Sequence, residues 1–387
     1  MTGEKQKAWA ISEPPLNYDV NLLFPVLFLV GIGIVIVYSA SSALALKKYG
    51  TDYYFLKKQA FFALLGILAL VVCRHFPYRF FRSLTYPFLI LAVVLLFAIK
   101  YSGLGYAAGG SARWLRFGGF SFQPSEFARF ALVIYLAYSM DKKKESLKNF
   151  YVGFMPHILV LGIFAVLIFA QPDFGSVLIL CAITWIMLFV GGVRLLHLLS
   201  SLVLILPLVY MLLTSADYRV KRLMSFLNPW QYSSNEGYQI IHSLMAFGTG
   251  GVWGTGIGKG YQKLFYLPEP HTDFIFSVIG EELGLVGVLF ILGLYVIIFW
   301  RGIWIAKKTD DTFGAFMAMG LTIAFGLQVC VNAGVALGLL PTKGLTLPFL
   351  SYGGTSLLMN MAAIGILMNI GTARPKNPLN PQKTDPG

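Results

Sequence analysis

Residues 153–192 read GFMPHILVLGIFAVLIFAQPDFGSVLILCAITWIMLFVGG. No lysine or arginine occurs in this stretch, and its one acid, Asp173, falls in the Gln171-Pro172-Asp173 break between two apolar runs. A helix needs about 20 mostly apolar residues to cross a bilayer, so each run is long enough for one crossing. Proline lacks an amide donor and cannot continue a helix, which puts the reversal at the break. The stretch is a pair of membrane helices joined by a tight turn.

The rest of the chain repeats this pattern. Of 387 residues, 57% are hydrophobic and 12% charged, and the mean hydropathy is +0.71. Soluble domains carry about 25% charged residues, so an ordinary soluble enzyme, a disordered chain and a collagen-like fibre are excluded. Apolar runs lie near 22–37, 58–75, 83–100, 126–140, 153–170, 173–192, 195–214, 274–300, 312–340 and 348–370. The expected fold is an all-α polytopic membrane protein of about ten transmembrane helices. A polar tail (1–21) precedes a membrane domain (22–371), and a second tail (372–387) follows it. The small residues from Ser39 to Ala45 resemble a cleavage site, but the preceding tail and apolar run are too long for a signal peptide, so the N-terminus is expected to be kept.

Sidedness follows from the bases, because cytoplasmic loops retain Lys and Arg. With the N-terminus inside, Arg74, Arg79, Arg82, Lys142 to Lys144, Arg194, Arg301, Lys307 and Lys308 all fall in cytoplasmic connections. Five of the opposing bases sit in one long loop, and long loops weigh little in this rule. Both termini are therefore expected in the cytoplasm, with 215–272 as a large extracytoplasmic loop. The net charge of +13 is accounted for by topology, since the bases lie between apolar runs rather than on one face, and no nucleic-acid partner is implied. Cys73, Cys181 and Cys330 are far apart, and the five histidines have no ligand spacing, so neither a disulfide framework nor a tight metal site is expected.

Only 17 acids occur, so those near the membrane are informative: an ionisable group there is costly and marks function by default. Asp273 stands where the long loop enters the eighth span. Loss of hydration there should raise its pKa toward that of a general base, although an Asp in that place can also simply cap the helix. His271, two residues away, need not face it. Glu126 and Arg129, three apart on one helix, can pair, either as a structural tie or as support for a catalytic group. Asp173 allows the same two readings. Gly109 to Gly119 combines glycines with Arg113, Trp114 and Arg116, suiting a phosphate group or an interfacial anchor. Gly254 to Gly260 lacks the spacing of a P-loop and reads as a flexible loop.

Several strings resemble one family, the shape, elongation, division and sporulation (SEDS) proteins of bacterial membranes. They are Tyr38-Ser-Ala-Ser41, Gln123-Pro-Ser-Glu-Phe-Ala-Arg129, Gln171-Pro-Asp-Phe-Gly175, His271-Thr-Asp-Phe-Ile-Phe276, Gly280-Glu-Glu-Leu-Gly284 and Leu347-Pro-Phe-Leu-Ser-Tyr-Gly-Gly354. The resemblance runs in order from about residue 20 to 370. Gln262-Lys-Leu-Phe-Tyr-Leu-Pro-Glu269 and Gly338-Leu-Leu-Pro-Thr-Lys-Gly344, which contains Lys343, look more like the division branch than the elongation branch.

The resemblance implies a peptidoglycan glycosyltransferase of the bacterial inner membrane, at the division septum, that polymerises lipid II on the outer side. Asp273 matches the family's essential aspartate. Glu126 and Arg129 match its ion pair, with Arg where the family usually has Lys. Arg113 and Arg116 are candidates to meet the leaving group's charge. No tightly bound cofactor is implied, only a loosely held divalent cation (Mg or Mn) as an alternative to the arginines. Implied partners are a class B penicillin-binding protein, the transpeptidase, and other divisome membrane proteins. Two other readings stay open: a lipid II flippase, or a non-catalytic scaffold for the penicillin-binding protein.

Overall fold

The computed structural model describes residues 18–101, 105–108, 111–117, 120–214, 217–233, 237–264 and 266–372. Most of the two tails, the glycines at 109–110 and 118–119, and Ser234 to Glu236 in the long loop lie outside the described residues. Ten helices occupy the ten apolar runs: α1 (Val20–Tyr49), α2 (Tyr54–His75), α3 (Phe81–Tyr101), α4 (Pro124–Lys142), α5 (Met155–Phe169), α6 (Phe174–Val190), α7 (Leu195–Thr214), α10 (Ile275–Lys308), α11 (Thr312–Ala336) and α12 (Gly354–Thr372). The long loop contains two further helices, α8 (Asp217–Leu227) and α9 (Tyr238–Gly250).

Among the described residues, seven helices are long and apolar enough to cross a membrane, and two shorter apolar ones, Phe174–Val190 and Leu195–Met211, lie among them. Helix α4 is different because it carries Glu126 and Arg129. It can do so because it is packed inside the bundle against α3, α6 and α11, with Leu132, Val133, Ile134 and Leu136 fully buried. Peripheral helices present Leu64, Ile90, Val166 and Leu204 outward, each at least 64% exposed, as a lipid-facing surface requires.

Two features depart from the sequence reading. The segment between α3 and α4 forms a small antiparallel meander of β1 (Gly105–Ala108), β2 (Ser111–Phe117) and β3 (Phe120–Phe122), so the architecture is helical with one β-sheet at the loop end of the bundle. The eleventh helix stops at Ala336, because the chain turns at Gly338 with φ +68°. The last helix begins only at Gly354, and residues 337–353 form a non-helical strap beneath the long loop.

Candidate active site

Asp273 lies just before α10. The N-cap position belongs to Phe274, which makes no side-chain cap bond, so Asp273 is not spent on closing the helix. Its carboxylate abuts the strap: a Cβ added at Gly344 would stand 2.7 Å from Oδ2, so a side chain there would have to displace the carboxylate. The Asp273 carbonyl accepts a hydrogen bond from Asn332 Nδ2 of α11 at 3.0 Å. One edge of the residue stays open to solvent. Loss of hydration pushes the carboxyl up to about 7, with Glu269 adding to the rise and Arg113 and Arg222 opposing it.

His271 faces elsewhere. It is buried against the rings of Phe55 at 4.6 Å and Tyr352 at 5.7 Å. Burial and the Lys48 charge lower its pKa to about 4, so the imidazole is neutral at physiological pH. Its backbone does more for the site: the His271 carbonyl accepts from Tyr352 N at 2.8 Å, and Ser351 Oγ donates to the Thr272 carbonyl at 2.6 Å. These bonds tie the segment leading to Asp273 onto the strap.

Beside Asp273 stands a second acid with two bases. Asp173 caps α6, accepting from Ser176 N at 3.2 Å and Ser176 Oγ at 2.7 Å. Arg113 reaches it at 3.8 Å and donates to the Pro172 carbonyl at 2.7 Å. Lys343 lies over the Phe174 ring at 5.4 Å. Burial lowers its pKa to about 8, against the opposing pull of Asp173. The strand register explains why Arg113 arrives here: Tyr106 pairs with Trp114 and Ala107 with Ala112, leaving Arg113 as the extra residue of a bulge. Bulges re-aim side chains. Arg116, expected alongside it, is exposed and exerts its charge on Tyr54 of α2 instead.

Glu126 and Arg129 form the i,i+3 pair expected on α4, Oε2 to Nη2 at 2.5 Å, with both side chains buried. With Asn360 they line a cavity of about 20 Å³, roughly the room a single water needs. The pair lies close enough to Asp173 for the charges to interact, and Ser356 of α12 stands beside Glu126.

A second buried ion pair was not anticipated. Lys263 Nζ meets Glu282 Oε1 at 2.5 Å, with side-chain exposures of 6% and 0%. Ser39 of α1 bonds both partners. The neighbouring Glu281 accepts from the backbone amides of Tyr261 and Gln262. Here α10 is broken at Gly284, with φ +65°, and the glycine loop fills the break: Thr255 and Gly256 amides donate to the carbonyls of Glu281 and Glu282, and Leu285 N donates to the Gly251 carbonyl. Gly254 and Gly260 therefore serve close packing against Glu281 and Glu282 rather than flexibility. At Gly254, φ is +80° and a Cβ would strike the Glu282 backbone. Two adjacent acids inside an apolar run were the available signal. The base that neutralises one of them lies 19 residues upstream, which spacing does not disclose.

Among the described residues no cluster of three His, Cys, Asp or Glu side chains is arranged to hold a metal ion.

A multi-pass membrane bundle with a desolvated carboxylate and two bases at one end belongs to the class of integral membrane enzymes that act at the bilayer surface. Comparison with known proteins narrows this class. The profile of the family described as "Cell cycle protein" (FtsW, RodA and SpoVE) matches residues 20–376. The chain is 46% identical over 356 residues to the probable peptidoglycan glycosyltransferase FtsW of Geobacter metallireducens, covering 92% of this chain and 95% of that protein. It is 39% identical to stage V sporulation protein E of Bacillus subtilis, covering 91% and 96%. Among solved structures, a chain from a study of how a peptidoglycan synthase complex coordinates polymerization and crosslinking superposes with a TM-score of 0.76 at 29% identity, covering 92% of this chain and 98% of that one. The rod shape determining protein RodA of Thermus thermophilus gives 0.66 at 28%, covering 92% and 97%. The chain belongs to the SEDS family.

Proposed function

We propose that this protein is a peptidoglycan glycosyltransferase of the division branch, polymerising lipid II into β-1,4 glycan strands at the outer face of the cytoplasmic membrane. The relatives named peptidoglycan glycosyltransferase FtsW support the activity and the branch. The observation that carries the mechanism is the Asp273 carboxyl, raised to about 7, because a general base works best with a pKa near the operating pH.

The acceptor sugar's 4-hydroxyl gives its proton to the Asp273 carboxylate as its oxygen attacks the donor's anomeric carbon. The new C–O bond forms as the bond to the lipid pyrophosphate breaks, and the electron pair leaves on the pyrophosphate oxygen. One displacement turns the α-linked donor into a β link, so one base suffices. Arg113, whose charge acts on Asp273 and Asp173, and Lys343, which acts on Asp173, are suited to meet the charge that grows on the leaving group.

In this reading the loop end of the bundle faces outward, both tails are cytoplasmic, and residues 22–371 form one membrane domain. The partner is a class B penicillin-binding protein at the septum, a reading supported by similarity to a chain from a peptidoglycan synthase complex. The test is glycan yield from labelled lipid II with the purified, partner-bound protein. Asp273→Asn keeps the size but loses the base, and yield should fall about 10²–10⁴-fold. Near-normal yield at matched expression removes Asp273 from the mechanism, and a scaffold or a flippase would then be the better reading.

A further inference from the structure

Helix α11 carries two amide side chains one turn apart, Gln328 and Asn332, both almost fully buried in an otherwise apolar helix. Residues at i and i+4 share a helix face, and these two meet consecutive carbonyls of the strap. Asn332 Nδ2 donates to the Leu345 carbonyl at 2.5 Å, and Gln328 Nε2 donates to the Thr346 carbonyl at 3.0 Å. The second proton of Asn332 goes to the Asp273 carbonyl at 3.0 Å. One amide thus holds the backbone of Asp273 and, one residue beyond Gly344, the backbone that the Asp273 carboxylate touches.

The chain of contacts continues inward. Gln328 Nε2 also reaches Ser356 Oγ at 3.1 Å. Thr346 Oγ1 donates to Ser356 Oγ at 2.9 Å, and Asn360 bonds both Ser356 and Gln328. Ser356 in turn lies beside Glu126. Polar contacts therefore run from Ser356, beside the Glu126–Arg129 pair, through Gln328, the strap backbone and Asn332 to the backbone of Asp273. The donors of this network are spent on the strap carbonyls of Leu345 and Thr346, just past Gly344, while Asn332 Oδ1 is buried without a partner, so the amide is oriented by its two donated bonds alone.

We propose that Asn332, braced by Gln328, is a positioning residue for glycosyl transfer: it fixes the Asp273 carboxylate against the Gly344 backbone in the orientation that accepts the proton. The inference rests on Asp273 being the base. A misplacement of about 1 Å can cost on the order of 10²-fold in rate, so a residue that never touches substrate can matter this much.

The test compares purified, partner-bound, full-length wild type with Asn332→Leu, Gln328→Met and Asp273→Asn. Rates are taken per folded protein, with lipid II concentration and pH both varied. Asn332→Leu should lower kcat about 10- to 100-fold and leave KM for lipid II within about twofold. It should also move the acid limb of the pH–rate profile to lower pH, as water reaches the carboxyl. The charges acting on that limb, Glu269 from the loop, Arg113 from β2 and Arg222 from α8, are unchanged in the variant. Gln328→Met should show the same signature more weakly, and it decides the matter if Asn332→Leu does not fold. A purely structural role predicts less folded protein with normal kcat and an unmoved acid limb. That result, beside an inactive Asp273→Asn, overturns the inference and leaves the base in place. An active Asp273→Asn overturns both.

Discussion

Breaking the Lys263–Glu282 pair should release the loop that leads to Asp273. In Lys263→Met, the Glu282 carboxylate, with 0% side-chain exposure, keeps only the Ser39 hydroxyl, whose single proton can serve one of its two oxygens. Stranding one charge of a buried pair costs about 3–5 kcal/mol. At about 1.4 kcal/mol per tenfold, that raises the population of the opened loop roughly 140- to 3,700-fold. The opening should be local, because the loop is held chiefly by Glu281, Glu282 and the backbone bonds across the α10 break. Hydrogen exchange of the Tyr261, Gln262, Thr255 and Gly256 amides reads it directly, since local openings have their own free energies. Replacing both charges, as in Lys263→Met with Glu282→Leu, should recover much of the protection, because well-packed apolar pairs often match buried ion pairs. Unchanged exchange in Lys263→Met, or a double variant as labile as the single one, refutes the assigned role.

Two further outcomes follow from the charges. The value of kcat/KM should rise with pH through about 7, as Asp273 becomes the carboxylate that can take a proton, and fall through about 8 if the Lys343 charge is needed. A pH–rate profile checks both limbs, and Lys343→Arg should move only the alkaline limb, upward. Glu126→Ala should cost about 3–5 kcal/mol, because it strands the buried Arg129. Thermal unfolding in detergent and glycan yield measure the loss, and wild-type values in both would leave the pair without a role.

The bundle was legible because bilayer crossing imposes a length and a composition on each helix, so run after run such as 153–170 and 173–192 announces itself. The exceptions have a common cause. Helix α4 breaks the apolar rule because its face is turned to protein rather than lipid. The strap 337–353 reads as apolar, Leu345, Leu347, Phe349 and Leu350 all being buried, yet it is not helical. Its carbonyls are satisfied by Gln328, Asn332 and Tyr295, the last donating to the Pro348 carbonyl at 2.5 Å. Hydropathy registers burial but not the partner that makes an irregular backbone tolerable there. The meander was missed for a similar reason: strands this short, with glycines between them, carry too little periodicity to be distinguished from a loop.

The site divides along the same line. Asp273 and the Glu126–Arg129 pair could be singled out because an acid beside apolar residues is conspicuous whatever its neighbours are, and because i,i+3 spacing fixes a helix face. What each does depends on contacts that sequence distance hides. Asp173 and Asp273 are both acids beside a helix start, yet Asp173 spends its carboxylate on Ser176, while Asp273 leaves the cap to Phe274. That difference is what leaves Asp273 able to accept a proton. Arg113 and Arg116 look equivalent in the sequence and are separated by a bulge that only the strand register reveals. Asn332 gave no signal, since an amide in an apolar helix has no charge to account for. Its meaning comes entirely from two carbonyls, one 59 residues before it and one 13 after. In this chain the candidate catalytic acids are visible by their cost in the membrane, and the amide proposed to aim Asp273 is visible only once the strap is folded beneath the loop.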